Sequence, residues 1–501
     1  MKNQDPATEA TEATEGTETI NGELAARIPL PATPVALDAI TMQRLIGAFV
    51  GAAVGDALGA PFEFGAAGGY SARFPESVIG GTGEMIGGGH FNWGPGEFTD
   101  DTQMSIALGE SLIARNGFDA DDVWLRFQAW RRGAQDCGSL TNRALSNTTW
   151  TGAAADAHDA FGGRSGANGS LMRVTGLACA FTAGDETTLI HAARAQSALT
   201  HHDPAAGWGA AIAAALIRRT ILGEDALAAL PGLIALVPEP DRARYAEMLD
   251  PSWSPHDPCE VTNGSVWGCL AQAVWAVRTT ETFADAVIAA IDLGGDTDTV
   301  ATVAGALAGA RSSIQAIPSR WLTYLNGTVG TGELKVRYDN AALQDLARRL
   351  TGKGPVPDTA AEIPAGPTEV APRLHAADLG GAATVPIDWA VVSMCRTHGR
   401  FDGHPHRREI HLIDQAGAAN ADADAAVRDA VDSIDAFLAE GRTVVVHCHG
   451  GRSRTGLVLK AWAMRTNGWD EREAHAWLEK NWYRYEDYQS SFVDLFSRNW
   501  S

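Results

Sequence analysis

The chain holds only six cysteines in 501 residues, and no two of them form a CxxC pair. Cys137, Cys179, Cys259, Cys269, Cys395 and Cys448 follow no regular disulfide framework. No secretory signal opens the sequence, so the expected setting is a reducing cytoplasm with free thiols. The N-x-[ST] triplets at Asn147, Asn168, Asn263 and Asn326 then carry no meaning as glycosylation sites. Long apolar runs are also missing. The longest near the start, Leu45 to Gly55, is eleven residues and stops at Asp56, which predicts a buried helix rather than a membrane span. Positive charge is scarce: 39 Lys and Arg face 61 Asp and Glu, for a net charge of -22 and a pI near 5.0. A broad acidic field repels nucleic acid and anionic membrane and argues against either as a partner. The deficit is smallest in residues 373–501, where 15 basic residues meet 18 acidic ones, so that region repels an anionic substrate least.

Hydrophobic residues make up 45% of the chain, enough for more than one core. Ala-Thr-Glu repeats three times over residues 7–15, and such polar, acidic sequence cannot offset its own ordering entropy; residues 1–38 are expected to be a disordered leader. Residues 351–372 contain five prolines among Gly, Ala and Thr, the composition of a semi-rigid linker. With no apolar run in that linker, the domains at 39–350 and 373–501 are expected to act independently. In the first, Gly47, Gly51, Gly55 and Gly59 recur every four residues and line one helix face. Ala210–Arg219, Ser265–Val277 and Phe283–Ile291 have apolar residues at helical spacing, and few segments alternate with period two. This predicts an all-α domain with glycine-rich loops at Gly80–Gly96 and Gly162–Gly169. The second domain changes texture. Val385–Cys395, Arg408–Ile413 and Thr443–Val446 read as buried strands, and Ala423–Glu440 and Thr455–Thr466 as helices, which predicts an α/β domain.

Two acidic segments carry the chemistry of the first domain: Phe98-Thr99-Asp100-Asp101-Thr102 and Gly294-Gly295-Asp296-Thr297-Asp298-Thr299. Carboxylates and hydroxyls are all oxygen donors, which suits hard divalent cations such as Mg²⁺. Facing each other, the segments could hold two ions about 4 Å apart. The same residues also suit helix capping, and a capping side chain can offer its other oxygen to a metal.

Four motifs in order, Gly55-Asp56-Ala57-Leu58-Gly59-Ala60-Pro61-Phe62-Glu63-Phe64, Phe98–Met104, Gly169-Ser170-Leu171-Met172-Arg173 and Gly294–Thr299, resemble the ADP-ribosylglycohydrolase family. The resemblance implies an orthogonal all-α fold and two Mg²⁺ or Mn²⁺ ions. It implies Thr99, Asp100, Asp101, Asp296, Asp298 and Thr299 as metal ligands. Asp101 is also implied in catalysis, together with Glu63 as a ligand or general base at the site edge. Asn168, Gly169 and Ser170 are expected to open a helix whose free N–H groups receive a diphosphate, with His201 near the substrate. Asp56 reads as structural.

Near the C-terminus, Val444-Val445-Val446-His447-Cys448-His449-Gly450-Gly451-Arg452-Ser453-Arg454-Thr455-Gly456 reads as strand, loop and helix. A helix N-terminus and Arg454 would lower the Cys448 thiol pKa, and His449, Gly450, Gly451, Arg452 and Ser453 would cradle phosphate oxygens. The segment resembles the signature of the tyrosine and dual-specificity phosphatases. That resemblance implies Cys448 as nucleophile, Arg454 as phosphate ligand, Thr455 as the hydroxyl assisting breakdown of the cysteinyl-phosphate, and Asp414 as general acid, with Asp422 and Asp424 as alternatives. The expected protein is a bifunctional hydrolase acting on ADP-ribosylated protein, arginine linkage favoured, and on a phosphorylated substrate. Two rivals are a hydrolase of free ADP-ribose derivatives and an ADP-ribose-binding module attached to a phosphatase.

Overall fold

The computed structural model describes residues 19–20, 24–31, 37–258, 260–354, 356, 364–415 and 419–486. In the first domain three helices position the site, α1 (Ala39–Gly59), α2 (Asp100–Arg115) and α3 (Thr297–Ser312), and a fourth, α4 (Asn340–Arg349), faces the second domain. Asp38 caps α1 by accepting the Thr41 N–H at 2.7 Å. Although α1 is long and apolar enough to cross a membrane by length and composition, it lies inside the domain, and Leu45, Ala48, Val50, Val54 and Leu58 have no exposed surface.

The four-residue glycine repeat is the seam between α1 and α3. A Cβ on Gly47 would lie 2.3 Å from the Gly309 carbonyl oxygen, one on Gly51 2.5 Å from that of Gly305, and one on Gly55 2.0 Å from that of Ala301. The fit is reciprocal, since a Cβ on Gly305 would meet the Gly51 oxygen at 2.2 Å. Bare backbone on both sides brings the two helices closer than side chains would allow.

The domain is mostly helical, as expected, with three small antiparallel ribbons added: Thr19–Ile20 with Leu24–Ala25, Arg27–Pro29 with Gly117–Asp119, and Asn326–Val329 with Val336–Asp339. The second corrects the leader expectation. Residues 24–31 belong to the folded domain because Ile28, paired with Phe118, gains a buried apolar contact that the acidic repeats lack. Those repeats lie outside the described residues.

The second domain has a five-stranded sheet made of β1 (Thr368–Ala371), β2 (Leu374–Asp378), β3 (Ala390–Ser393), β4 (Arg407–Glu409) and β5 (Val444–Cys448), in the order β4-β3-β5-β2-β1. Pairing is parallel except at β1 with β2. Helices α5 (Ala423–Ala439), α6 (Ser453–Asn467) and α7 (Glu471–Asn481) complete it. Strand β1 falls inside the expected linker, which is corrected at its far end: Thr368–Ala371 pairs with β2 rather than continuing the spacer.

The domains are also packed together, not merely tethered. Gln43 of α1 donates to the Ala419 carbonyl and accepts the Ala421 N–H at 3.1 Å. Beyond α3, Ser313 donates to Asp422 at 3.0 Å and Gln315 to the Asn420 side chain at 2.6 Å. The Ser319 N–H donates to Asp429 at 2.9 Å, and Arg396 pairs with Asp345 at 2.6 Å. Arg408 is buried at the junction, donates to the Ile79 carbonyl and stacks over Phe437 at 5.0 Å. Polar side chains make this interface, which is why no apolar run announced it.

The helix seam predicts that Gly55→Ala destabilises the protein by about 1–3 kcal/mol, the usual cost of overpacking. Urea denaturation of the full chain checks this, and an unchanged midpoint would show that the seam can open freely.

Two candidate active sites

The first site forms where α1 and α3 meet the start of α2. After α1 a short 3₁₀ turn, Ala60–Phe62, delivers Glu63. Gly294 and Gly295 turn the chain in the left-handed region at φ 73° and 72°, a conformation that favours glycine. The Phe64 N–H donates to the Gly295 carbonyl at 2.7 Å and the Gly295 N–H to the Gly65 carbonyl at 3.0 Å, so these two turns are locked together. Glu63, Asp296 and Asp298 consequently offer carboxylate oxygens within 4.8 Å of one another.

Asp56 fixes the other half. It is fully buried, and its carboxylate accepts the Thr99 N–H at 2.9 Å, the Thr102 N–H at 3.0 Å and the Thr102 hydroxyl at 2.6 Å. This is a structural role, and it holds Thr99, Asp100 and Asp101 at the opening of α2. The two acidic segments then touch: Thr99 donates to Asp298 at 3.5 Å, and Thr299 to Asp101 at 3.4 Å. Thr99 also caps α2.

Burial is the first cause raising each of these acids; neighbouring carboxylates add to it at Glu63, Asp100, Asp101 and Asp298, whereas at Asp56 the Thr102 and Thr99 hydrogen bonds oppose it. Asp56 rises to about 6 and Glu63 to about 9, while Asp100, Asp101 and Asp298 stand well above the usual carboxylate range. Asp101 Oδ1 and Glu63 Oε2 are buried with no hydrogen-bond partner. An all-oxygen donor set with orphaned acceptors and concentrated negative charge fits hard divalent cations. Thr99, Asp100, Asp101, Asp296, Asp298 and Thr299 are brought together as expected, with Glu63 among them.

Two further residues of the site are signalled by no motif. Asp136 is raised to about 6, chiefly by burial, and its charge acts on Glu63 and Asp100. Asn263 accepts the Asp296 N–H at 3.1 Å through its side chain and donates to the Gly294 carbonyl at 2.8 Å. Neither lies in an acidic run, and only the fold brings them in.

The Asn168–Ser170 expectation is corrected. These residues form turns, and the following helix, Thr175–Ala180, begins later and is only six residues long. Asn168 instead donates to Asp296 at 2.8 Å and to the Asn263 carbonyl at 3.0 Å. The Ser170 hydroxyl is buried and accepts from Ser197 at 2.7 Å. Gly169 packs closely, and a Cβ there would sit 3.2 Å from both His201 and Thr141. His201 is buried, bonded to Thr200 at 2.8 Å, and its Nε2 has no partner; burial and the Arg173 charge lower it to about 3, so it is neutral. Arg173 is buried against Phe127 and bonded to Gln196 at 2.7 Å, bracing this turn from behind.

The second site lies at the C-terminal end of the parallel strand β5, where open α/β sheets place their ligands. Cys448 ends that strand, almost fully buried, and α6 begins at Ser453. His447 bonds Ser393 at 2.7 Å and is lowered to about 3, chiefly by burial, so it too is neutral. In the loop, Gly451 adopts φ 67°, and a Cβ there would meet the Ala377 carbonyl at 2.8 Å. Trp482 donates to the Gly451 carbonyl at 2.6 Å, and Arg484 to that of Gly450 at 3.3 Å, two braces the motif did not reveal. The His449 carbonyl accepts the Leu379 N–H at 3.2 Å, and Arg452 pairs with Glu486.

Arg454 donates to the Met394 and Leu412 carbonyls, each at 3.1 Å, and pairs with Asp414 at 3.4 Å. Ser453 donates to the same Asp414 carboxylate. Asp414 therefore stands at the loop, whereas Asp422 is held by Ser313 of the other domain and Asp424 pairs with Arg428 at 2.9 Å. Thr455 Oγ1 and Arg454 Nε are buried without partners, donors suited to a tetrahedral anion.

Comparison with known proteins gives two family matches: ADP-ribosylglycohydrolase over residues 37–359 and dual specificity phosphatase, catalytic domain, over residues 387–490. The chain is similar to the ADP-ribosyl-[dinitrogen reductase] glycohydrolase of Rhodospirillum rubrum, 31% identical, covering 61% of this chain and 96% of that protein. It is 29% identical to the ADP-ribosylarginine hydrolase Tri1 of Pseudomonas putida (strain GB-1), covering 63% and 80%. A solved structure described as an ADP-ribosylglycohydrolase-related protein complex aligns with TM-score 0.49 and 32% identity over 62% of this chain and 98% of the other. Human DUSP28 aligns with TM-score 0.24 and 20% identity over 28% and 95%.

The bonds around Asp296 predict that Asn263→Ala weakens divalent-cation binding about tenfold, a typical loss when a ligand's hydrogen-bond support is removed. Calorimetric titration with Mn²⁺ checks it; equal affinity would leave Asn263 without a part in the site.

Proposed function

The chain belongs to the ADP-ribosylglycohydrolase family and carries a dual-specificity phosphatase catalytic domain, and from that premise we propose a bifunctional hydrolase with two independent chemistries. The first is divalent-cation-dependent release of ADP-ribose from ADP-ribosylated protein. The observation carrying it is the convergence of Glu63, Asp296 and Asp298 with the Thr99–Asp101 segment. Bound Mg²⁺ or Mn²⁺ would supply positive charge and Lewis acidity for the distal ribose hydroxyls and a water. The protein's part is to present the six ligand residues, with Glu63 at their edge as a ligand or, where cation charge would offset the carboxylates that raise it, as the base for the water that attacks C1″. Cleavage of the glycosidic bond passes through an oxocarbenium-like state, which the surrounding carboxylates favour.

An arginine linkage is favoured. The support is that one relative named above is an ADP-ribosyl-[dinitrogen reductase] glycohydrolase and the other an ADP-ribosylarginine hydrolase.

The second chemistry is cysteine-dependent hydrolysis of a phosphate monoester. The Cys448 thiolate forms a bond to phosphorus while the bond to the leaving oxygen breaks, and Asp414 gives that oxygen its proton. Water then breaks the S–P bond, returns the proton to Asp414 and releases phosphate, with Thr455 beside the departing sulfur. Arg454 and the loop amides carry the charge of the phosphoryl oxygens. Five free cysteines among the described residues support a reducing setting, and a cytoplasmic location is part of this proposal.

One chain assayed twice tests both halves. Excess EDTA, or Asp296→Asn, is expected to abolish ADP-ribose release and leave phosphate release intact; Cys448→Ser is expected to do the reverse. Asp414→Asn should slow phosphate release by about 10²–10⁴-fold, most for poor leaving groups. Arginine-linked ADP-ribose should turn over faster than serine-linked. Full glycohydrolase activity in EDTA, or phosphatase activity surviving Cys448→Ser, would contradict the assignment of that site.

A further inference from the structure

The loop of Cys448 does not open onto bare solvent on its acid side. A cavity of about 360 Å³ lies there, lined by His449, Arg454 and Asp414 on one wall and by the first domain on the other. Ile46 and Leu322 supply apolar surface to that wall, and Asn340, Gln344 and Arg348 of α4 supply polar groups. Helix α4 is fixed in place by the second domain: Arg396 pairs with Asp345 at 2.6 Å and also donates to the Ala341 carbonyl at 3.2 Å. The volume matches small-molecule pockets, which run about 300–1,000 Å³. Helix α4 forms part of the wall facing the phosphate loop.

The cavity is rich in guanidinium groups. Arg454 and Arg396 have carboxylate partners, Asp414 and Asp345. Arg348 donates to the Gly354 carbonyl at 3.3 Å and has no ion-pair partner among the described residues. Burial is the first cause lowering its pKa, and the charges of both Arg396 and Asp345 act on it, so it neighbours that ion pair. His411 lines the same cavity and is lowered to about 4 by burial and by the charges of Arg396, Arg454 and Arg348. It is neutral at pH 7, and the positive charge of the pocket belongs to the arginines. Two cationic centres, one at the phosphate loop and one on the other domain, thus line one half-open cavity together with the Asp414 and Glu409 carboxylates.

We propose that the phosphatase pocket is a composite of both domains and that its substrate is a small phosphate monoester bearing a second anionic group, received by Arg348 of the glycohydrolase domain. This rests on the reading of Cys448 as a phosphatase nucleophile. The arrangement suits a phosphorylated nucleotide or sugar phosphate and disfavours a phosphorylated protein segment.

The test uses the full chain and three probes: p-nitrophenyl phosphate, adenosine 3′,5′-bisphosphate and a phosphotyrosine peptide. The wild type is expected to favour the bisphosphate over both others by about tenfold or more in kcat/KM, the scale of one charge-assisted contact. Arg348→Ala should lower the ratio of bisphosphate to p-nitrophenyl phosphate turnover about tenfold, and Arg348→Lys should retain most of it. Calorimetry on the Cys448→Ser chain should show the bisphosphate bound about tenfold more weakly once Arg348→Ala is added. A peptide turned over as well as the bisphosphate, or equal losses on both small probes, would overturn the composite pocket while Cys448-dependent activity on p-nitrophenyl phosphate kept the phosphatase reading. Absence of Cys448-dependent activity on every probe would overturn both.

Discussion

The near-contact of two helix backbones governs most of what this protein can do. Glycines on α1 and α3 remove the side chains that would separate them, so Gly55 and Ala301, or Gly51 and Gly305, meet at distances no Cβ could tolerate. At one end of the pair stand Glu63, Asp296 and Asp298, whose mutual repulsion in a buried setting opposes folding. Close-packed backbone offsets that repulsion and fixes the donors before any cation arrives. Preorganisation of this kind is what a metal site needs from its scaffold.

The other end of the same pair faces the second domain. Gln43 on α1, with Ser313 and Gln315 just past α3, holds residues 419–422. Asn420 in that segment brackets Ile413, accepting its N–H at 2.9 Å and donating to its carbonyl at 3.0 Å. Ile413 precedes Asp414, the carboxylate that meets Ser453 and Arg454. A 16-residue helix spans about 24 Å, so one rigid pair bears the metal ligands at its near end and steadies the acid loop of the phosphatase at its far end. The two chemistries are separate, but their frames are not.

Much of this was legible in the sequence, for physical reasons that differ by element. The glycine repeat shows because helix packing demands identity at each contact. The acidic segments and the Cys448 loop show because chemistry concentrates unusual residues in a few consecutive positions. Asn263 and Asp136 stayed hidden because each is one ordinary residue brought in by the fold. Asn168–Ser170 misled because a glycine between polar residues opens turns as readily as helices. The interface stayed hidden because Gln43 meets Ala419 across 376 residues and uses polar groups that look like any solvated surface. The prolines of 351–372 pointed to a spacer throughout, yet Thr368–Ala371 had enough β-branched character to pair at a sheet edge.

That both active sites share one body is the claim on which the composite pocket and the steadied acid loop depend. It is tested most directly by cutting the connection, with a protease site engineered between residues 357 and 363 and the cut chain run on a sizing column at low micromolar concentration. The contacts from Gln43, Ser313, Gln315, Ser319 and Asp345 to the second domain predict a single peak containing both fragments. Two peaks, each with one fragment at its own size, would show that the domains are only tethered and would contradict the account.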